Sequence, residues 1–423
     1  MTFIRALRRQ ATPTLLLIAA LLSDQAFAVS GVVLDADTQR PIAGATVTTS
    51  GAVMQTDELG HFETDSADTT IAARAPGYLR TEVTLVPDEA PSVLTLTPFR
   101  PKAVYLSVFG VTSSLLRDKV VSLADSTDVN ALVIDVKGDR GLTPYRSAAR
   151  EAIGAAAHAS RPAPQSRDFP GLLAKLRARH FYLIARIVVF KDDPLADAHP
   201  QWSVHTADGT PWRDLENLQW MDPFSHEVWR HNLDLAEEAA RMGFDEIQFD
   251  YVRFPDKSGL RFALANTRAN RTAAIVGFLK EARQRLAPYN VFISADIFGY
   301  VCWNLDDTAI GQQIELLGAA LDYISPMLYP SSFTWGLPGL TNPTEDPGQI
   351  VRRSLAEAKH RTKLPGLRFR PWLQAFRDYA FDHRLFDQAA IKAQVDAADA
   401  AGTDGWMLWN PRNHYEAADL PHH

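Results

Sequence analysis

Two aspartates stand where this chain could do acid–base chemistry. Asp250 ends the polar face of Glu246-Ile-Gln-Phe-Asp-Tyr-Val-Arg-Phe-Pro255, and Asp296 lies in Val291–Gly299. Both stretches alternate as strands do. Glu246, Gln248 and Asp250 share a face opposite Ile247, Phe249 and Tyr251; Ser294, Asp296 and Phe298 lie opposite Ile293, Ala295 and Ile297. A carboxylate is expensive to bury without a partner, so each is expected at an open strand end or beside a cation. Side chains at equal heights on adjacent strands stand roughly 5 Å apart. That places the pair in the range for flanking one glycosidic bond, roughly 5–10 Å. Arg253, three positions on, and Arg186 would favour the charged form that a nucleophile or base needs, which suits Asp250. Asp296 has apolar neighbours and no basic residue within four positions, which suits a proton donor.

Other polar and aromatic residues cluster at the ends of apolar runs. Asp135 and Lys137 fall on one face of Ala131–Gly138, as a positioning ion pair, and Arg186 is the lone charge of Ile184-Ala-Arg-Ile-Val-Val. Gln374 and Asn410 end two later runs. Tyr251, Trp303, Tyr329, Trp372 and Trp409 fall at or just after run ends, and Trp335 and Tyr300 lie close by. Flat rings of this kind pack well on the apolar C–H faces of sugars. The expected binding residues are therefore Asp135, Lys137, Arg186, Tyr251, Arg253, Trp303, Tyr329, Trp372, Gln374, Trp409 and Asn410.

Eight apolar runs carry these residues: Ala103–Gly110, Ala131–Gly138, Tyr182–Phe190, Glu246–Phe254, Val291–Gly299, Tyr323–Tyr329, Phe369–Phe376 and Gly405–Asn410. Amphipathic stretches such as Phe169–Arg179, His226–Met242, Ala269–Leu286, Ile350–Arg361 and Ala389–Ala401 lie between most of them. Eight alternations predict a (β/α)8 TIM barrel over residues 103–423, with active groups at the strands' C-terminal ends. An open doubly wound sheet fits less well, because no Gly-rich phosphate turn follows an early strand. Residues 29–98 have a different texture. Short Thr- and Val-rich runs broken by polar turns predict a small β-sandwich, joined to the barrel by a linker at 99–102.

The first 28 residues read as a signal peptide. Arg5, Arg8 and Arg9 precede the apolar run Thr14–Leu22, and Ala26-Phe-Ala28 is a small-residue cleavage site before Val29. The expected location is periplasmic or extracellular, with no transmembrane span, since no run is long enough. A formal net charge of -7 disfavours nucleic acid as the main partner. The single cysteine, Cys302, excludes an intramolecular disulfide and a Cys-based metal cluster. No cofactor is expected, and the chain is expected to be a monomer.

Two resemblances sharpen this reading. Gly31-Val-Val-Leu-Asp, Pro41-Ile-Ala-Gly-Ala-Thr-Val, Thr56-Asp-Glu-Leu-Gly-His-Phe and Ala75-Pro-Gly-Tyr78 resemble the carboxypeptidase regulatory-like domain, which implies a non-catalytic accessory. Ala131-Leu-Val-Ile-Asp-Val-Lys-Gly, Gly243-Phe-Asp-Glu-Ile-Gln-Phe-Asp-Tyr-Val-Arg-Phe-Pro, Ser294-Ala-Asp-Ile-Phe-Gly, Tyr323-Ile-Ser-Pro-Met-Leu-Tyr-Pro and Gly405-Trp-Met-Leu-Trp-Asn-Pro resemble an uncharacterised glycosyl hydrolase barrel family related to α-amylase-type barrels. That resemblance implies a polysaccharide substrate and a nucleophilic Asp after the fourth strand, which falls on Asp250. It also implies a Glu acid after the fifth strand, where this chain has Asp296. Two alternatives remain open. One is a glycan-binding or envelope-organising protein without turnover. The other is a metal-dependent hydrolase using Asp135, Asp250, Asp296, Asp306 and Asp307, against which Lys137, Arg186 and Arg253 would repel a cation.

Overall fold

The structure, a computed structural model, describes residues 29–49, 52–64, 70–84, 92–158 and 163–422. The expected signal peptide lies outside the described residues. Seven short strands come first: β1 (Val29–Asp35), β2 (Thr46–Thr48), β3 (Val53–Gln55), β4 (His61–Thr64), β5 (Thr70–Arg74), β6 (Thr81–Thr84) and β7 (Ser92–Leu96). They form two sheets, ordered β4-β1-β7 and β3-β2-β5-β6. Val33, Phe62, Leu94 and Leu96 of the first sheet share one core with Val47, Ile71 and Ala73 of the second.

Eight further strands follow: β8 (Lys102–Leu106), β9 (Ala131–Lys137), β10 (Tyr182–Val188), β11 (Glu246–Asp250), β12 (Phe292–Phe298), β13 (Tyr323–Met327), β14 (Trp372–Gln374) and β15 (Trp406–Trp409). They close into a parallel barrel in chain order, with β15 pairing back to β8. Each lies within one of the eight apolar runs or begins one residue before it. The helices start at capping residues the sequence supplies. Ser225 caps His226–Arg241, Thr267 caps Arg268–Leu286, Asp346 caps Pro347–Thr362 and Asp387 caps Gln388–Ala400, each accepting a backbone N–H of the first turn. Gly243, at φ +92°, turns the chain from the first of these helices into β11. That left-handed backbone is what favours glycine here; the nearest atoms to an added Cβ belong to the tip of the flexible Arg177 side chain, which could move aside.

The barrel wall separates two cores. Outward residues such as Ile134, Ile187, Ile247, Phe249 and Ile297 pack under the helices. Inward residues Tyr105, Val133, Ile184, Phe292, Tyr323, Trp372 and Met407 fill the lumen. The floor is polar and paired: Glu246 accepts from Tyr182, Ser294 and Arg370, and Arg370 also bonds Asp404. The β-sandwich docks beneath this floor. Arg74 donates to Asn290 at 3.1 Å, Arg80 pairs with Asp245 at 3.0 Å, and Leu79 and Phe99 pack against the lumen residues. The C-terminal strand ends, where chemistry gathers in such barrels, are thus left at the opposite mouth.

Candidate active site

At that mouth, Arg186 holds three carboxylates. It lies on the inward face of β10, and its Nη1 donates to Asp135 Oδ1 at 2.7 Å. Its Nη2 donates to Asp139 Oδ1 at 2.8 Å and to Asp250 Oδ2 at 2.5 Å, and its Nε to the same Asp250 oxygen at 2.9 Å. The guanidinium also lies 4.9 Å from the centre of the Trp409 ring and 5.6 Å from that of Tyr105. Burial opposes its charge, but Asp250, Asp135 and Asp139 hold it protonated. The Asp250 side chain is fixed from both ends, because its Oδ1 accepts the Tyr251 N–H at 2.6 Å. That bond goes with a left-handed backbone at Tyr251, φ +49°. The strand stops at Asp250, so the alternation of Ile247, Phe249 and Tyr251 breaks at its last member. Tyr251 joins Asp250 on the cavity wall instead of facing away from it.

Asp296 occupies the matching position on the next strand. The β11–β12 register pairs Gln248 with Ser294 and Phe249 with Ala295, which brings Asp250 and Asp296 to the same height. Asp296 Oδ1 accepts the Trp372 indole N–H at 2.8 Å, while Oδ2 is buried with no hydrogen-bond partner. Burial, and then the charge of Asp250, push its carboxyl well above the ordinary carboxylate range, against Arg186 and the Trp372 bond. Gln312 ties the two strand ends together. Its amide donates to the Asp296 and Val252 carbonyls and accepts the Phe298 N–H.

These side chains border a cavity of about 200 Å3, lined by Asp139, Arg186, Asp250, Tyr251, Arg253, Phe298, Gln312, Met327, Tyr329, Trp372 and Trp409. Asp296 is not among these lining residues; it is buried and bonded to one of them, Trp372. Through Phe298 the cavity adjoins an open groove of about 750 Å3 that includes Asp256, Arg268, Tyr300, Asp306 and Trp335. The Trp335 side chain stands 85% exposed, with its ring centre 5.7 Å from that of Tyr300.

The remaining expected binding residues lie elsewhere. The β9–β10 register shifts between Arg186 and Ile187, so that Ile187 pairs with Lys137 and Val136 is bulged out. The shift turns Lys137 away from Asp135 and into the helical shell. There its Nζ bonds Asp192 at 2.8 Å and Asn232 at 2.7 Å, and Arg150 holds the same Asp192 oxygen. Lys137 is therefore a buried structural cation, with burial bringing its amine down to about 8 against the pull of Asp192. Because Arg150 still holds Asp192, Lys137→Met is expected to cost about 1–3 kcal/mol, the scale of a lost buried hydrogen-bond partner, read as a lower urea midpoint with KM unchanged. An unaltered midpoint with a raised KM would return Lys137 to the substrate site.

Asp135 sits below the cavity, bonded by Arg186 and by the Tyr105 hydroxyl at 2.6 Å, and burial pushes its carboxyl up to about 6. Trp303 donates its indole N–H to Ser354 and packs beside Arg353, away from the cavity. The side-chain amide of Gln374 bonds Ser331 and the Phe376 carbonyl, and Asn410 ties the Ala375 carbonyl to the Arg412 N–H. Both organise the loops behind the site rather than its lining.

Asp139, Gln312, Phe298 and Met327 are lining residues absent from the expected set. Asp139 had a faint signal, a carboxylate two positions past a barrel strand and directly after Gly138. Gln312 ends Asp306-Asp-Thr-Ala-Ile-Gly-Gln, a run that also resembles the barrel family, but it reaches the site from a loop outside the eight strands. Among the described residues, no group of three or more His, Cys, Asp or Glu side chains could hold a metal ion; the carboxylates that converge here do so on a guanidinium.

Several solved structures are similar to this chain to different degrees. The glycoside hydrolase domain of PgaB (BpsB) from Bordetella bronchiseptica superposes with a TM-score of 0.55 at 15% identity, covering 76% of this chain and 97% of that one. At that identity the likeness is one of fold. A hypothetical protein from Ruminiclostridium thermocellum ATCC 27405 is 34% identical over 46% of this chain and 96% of its own, with a TM-score of 0.39. The spore cortex-lytic enzyme SleL of Bacillus megaterium QM B1551 aligns at 12% identity, a TM-score of 0.45, and 80% and 75% coverage. No curated protein matches the chain. The family model described as "Putative glycosyl hydrolase domain" matches residues 103–415, the barrel from its first strand to past its last, and the chain belongs to that family.

Proposed function

We propose that this protein is an exported glycoside hydrolase that cleaves a polysaccharide of the cell envelope or an exopolysaccharide. Asp250 acts as nucleophile or base and Asp296 as acid. One observation carries the reading: two aspartates at equal height on adjacent strands have opposite surroundings. Asp250 is held by Arg186 at the cavity wall, and Asp296 is buried with a raised affinity for its proton. A carboxyl with a raised affinity for its proton suits the acid, and the partner held by a guanidinium suits the base or nucleophile. In the reaction, the Asp296 proton passes to the glycosidic oxygen as its bond to the anomeric carbon breaks. Asp250, or a water it deprotonates, forms the new bond to that carbon. The test is reducing-end release by the chain from Val29 onward, on bacterial exopolysaccharides and amino-sugar polymers, with Asp250→Asn as control. Release by wild type alone supports the reading, and release by neither or by both rejects it.

The open groove argues for a chain-like substrate, with Trp335 as a platform for a sugar beyond the cavity. An aromatic contact of this kind contributes about 0.5–1.5 kcal/mol beyond area burial. Trp335→Ala is therefore expected to raise KM for polymer by about 3–10-fold while leaving kinetics on a short aryl glycoside unchanged. Equal effects on both would place Trp335 at the reacting sugar. The second reading, glycan binding without turnover, draws on the burial of Asp296 outside the cavity lining. It expects saturable binding with no new reducing ends.

A further inference from the structure

Resting on the glycoside hydrolase reading, we infer that the sugar bound beside Asp250 is a uronic acid whose carboxylate is received by Arg253. The three cations around the mouth differ in how they are satisfied. Arg186 holds three carboxylates, and Lys191 lies 3.0 Å from both Asp214 and Glu216. Arg253 lines the cavity, yet among the described residues no carboxylate lies within ion-pair distance of it. Its one hydrogen bond goes from Nη1 to the Phe254 carbonyl at 3.0 Å. A guanidinium carries five N–H donors, so most of its donors have no protein acceptor.

A half-buried charge in that state costs stability unless something else pairs with it. The side chain is nevertheless held in place. Its guanidinium carbon lies 4.8 Å from the centre of the Trp220 ring and 5.2 Å from that of Tyr251, whose own ring packs against Trp220. Aromatic support on this scale fixes a planar fork in advance, and such a fork matches a carboxylate through two parallel hydrogen bonds.

The other wall sets the orientation. Asp135, Asp139 and Asp250 outnumber the single Arg186 they surround. An anionic group is repelled from that wall and attracted to Arg253, so attraction and repulsion act on the same choice of substrate and pose. Because Arg253 follows Asp250 by three residues and lines the same cavity of about 200 Å3, the acidic ring is the one at or next to the bond that breaks.

The test is calorimetric binding to the full mature chain carrying Asp250→Asn, which stops turnover. The probes are oligogalacturonates, oligoglucuronates and oligomannuronates, each beside its carboxyl-reduced neutral counterpart. At least one acidic series should bind about tenfold or more tightly than its neutral twin, the scale expected of a charge-assisted pair. Arg253→Gln should erase that preference, weakening acidic binding about tenfold more than neutral binding, and Arg253→Lys should restore part of it. The inference is overturned if every neutral oligomer binds as well as its acidic twin, if no acidic series binds, or if the preference survives Arg253→Gln in a protein that melts normally. Reducing-end release by wild type from neutral or amino-sugar polymers, with none from acidic ones, overturns this inference and leaves the hydrolase reading intact. Arg253-dependent uronate binding with no release from any polymer does the reverse.

Discussion

Asp250→Asn should lower kcat on every substrate by on the order of 10⁴-fold or more, the scale of losing a group that takes part in bond formation. The substitution keeps the shape of the side chain. The oxygen of the new amide can still accept the Tyr251 N–H, but its nitrogen would face the Arg186 donors that now reach Asp250 Oδ2. Arg186 keeps Asp135 and Asp139, so the buried cation is not left alone. The fold should therefore survive, with melting shifted by a few degrees at most. Equal loss on polymers and on activated aryl glycosides is the signature, because both need the new bond at the anomeric carbon. Residual activity of even a few per cent on either substrate would remove Asp250 from the reaction.

Asp296→Asn should behave differently on the two substrate types. Polymer cleavage should fall by about 100-fold or more, the usual scale for a lost general acid. Nitrophenyl glycosides should be turned over nearly as well as by wild type, because their leaving groups depart without protonation. The Trp372 N–H can still donate to the amide oxygen of the variant, so the side chain should stay in place. The pH profile provides a second readout. Burial and the Asp250 charge raise the Asp296 carboxyl well above its ordinary range, so it keeps its proton to higher pH than a free carboxylate and loses it as pH rises. Wild-type activity on polymer should decline on that alkaline side, and the decline should vanish in the variant. Full polymer activity in Asp296→Asn would pass the acid role to another carboxylate. Asp139, which lines the cavity, and Asp135, whose carboxyl burial pushes up to about 6, would be tested next.

The barrel was legible because its signal is repeated. Eight apolar runs separated by amphipathic helices leave few alternatives, and each observed strand falls within its run or one residue ahead of it. The inward places of Asp250, Asp296 and Arg186 followed from alternation within single strands. Alternation misleads wherever the backbone departs from a regular strand. The bulge at Val136 sends Lys137 outward, and the left-handed turn at Tyr251 brings that ring inward. Neither leaves a trace in residue type. Trp303, Gln374 and Asn410 misled for another reason. A polar or aromatic group at a strand end can be satisfied by a segment far away in sequence, as Ser354 on a helix and Ser331 and Ala375 beyond strand ends do here. Asp139 and Gln312 come from loops with no period to read.

The leaving-group dependence of kcat/KM tests the division of labour between Asp250 and Asp296 most directly. A series of aryl glycosides of the cleaved sugar, graded in phenol acidity, would be compared for wild type and Asp296→Asn. The account expects a shallow dependence in wild type, where Asp296 protonates poor leaving groups. It expects a steep one in the variant, with the two lines meeting at the most acidic phenols. Parallel lines, with the variant uniformly slower or unchanged across the series, would contradict the assignment of Asp296 as the acid beside Asp250.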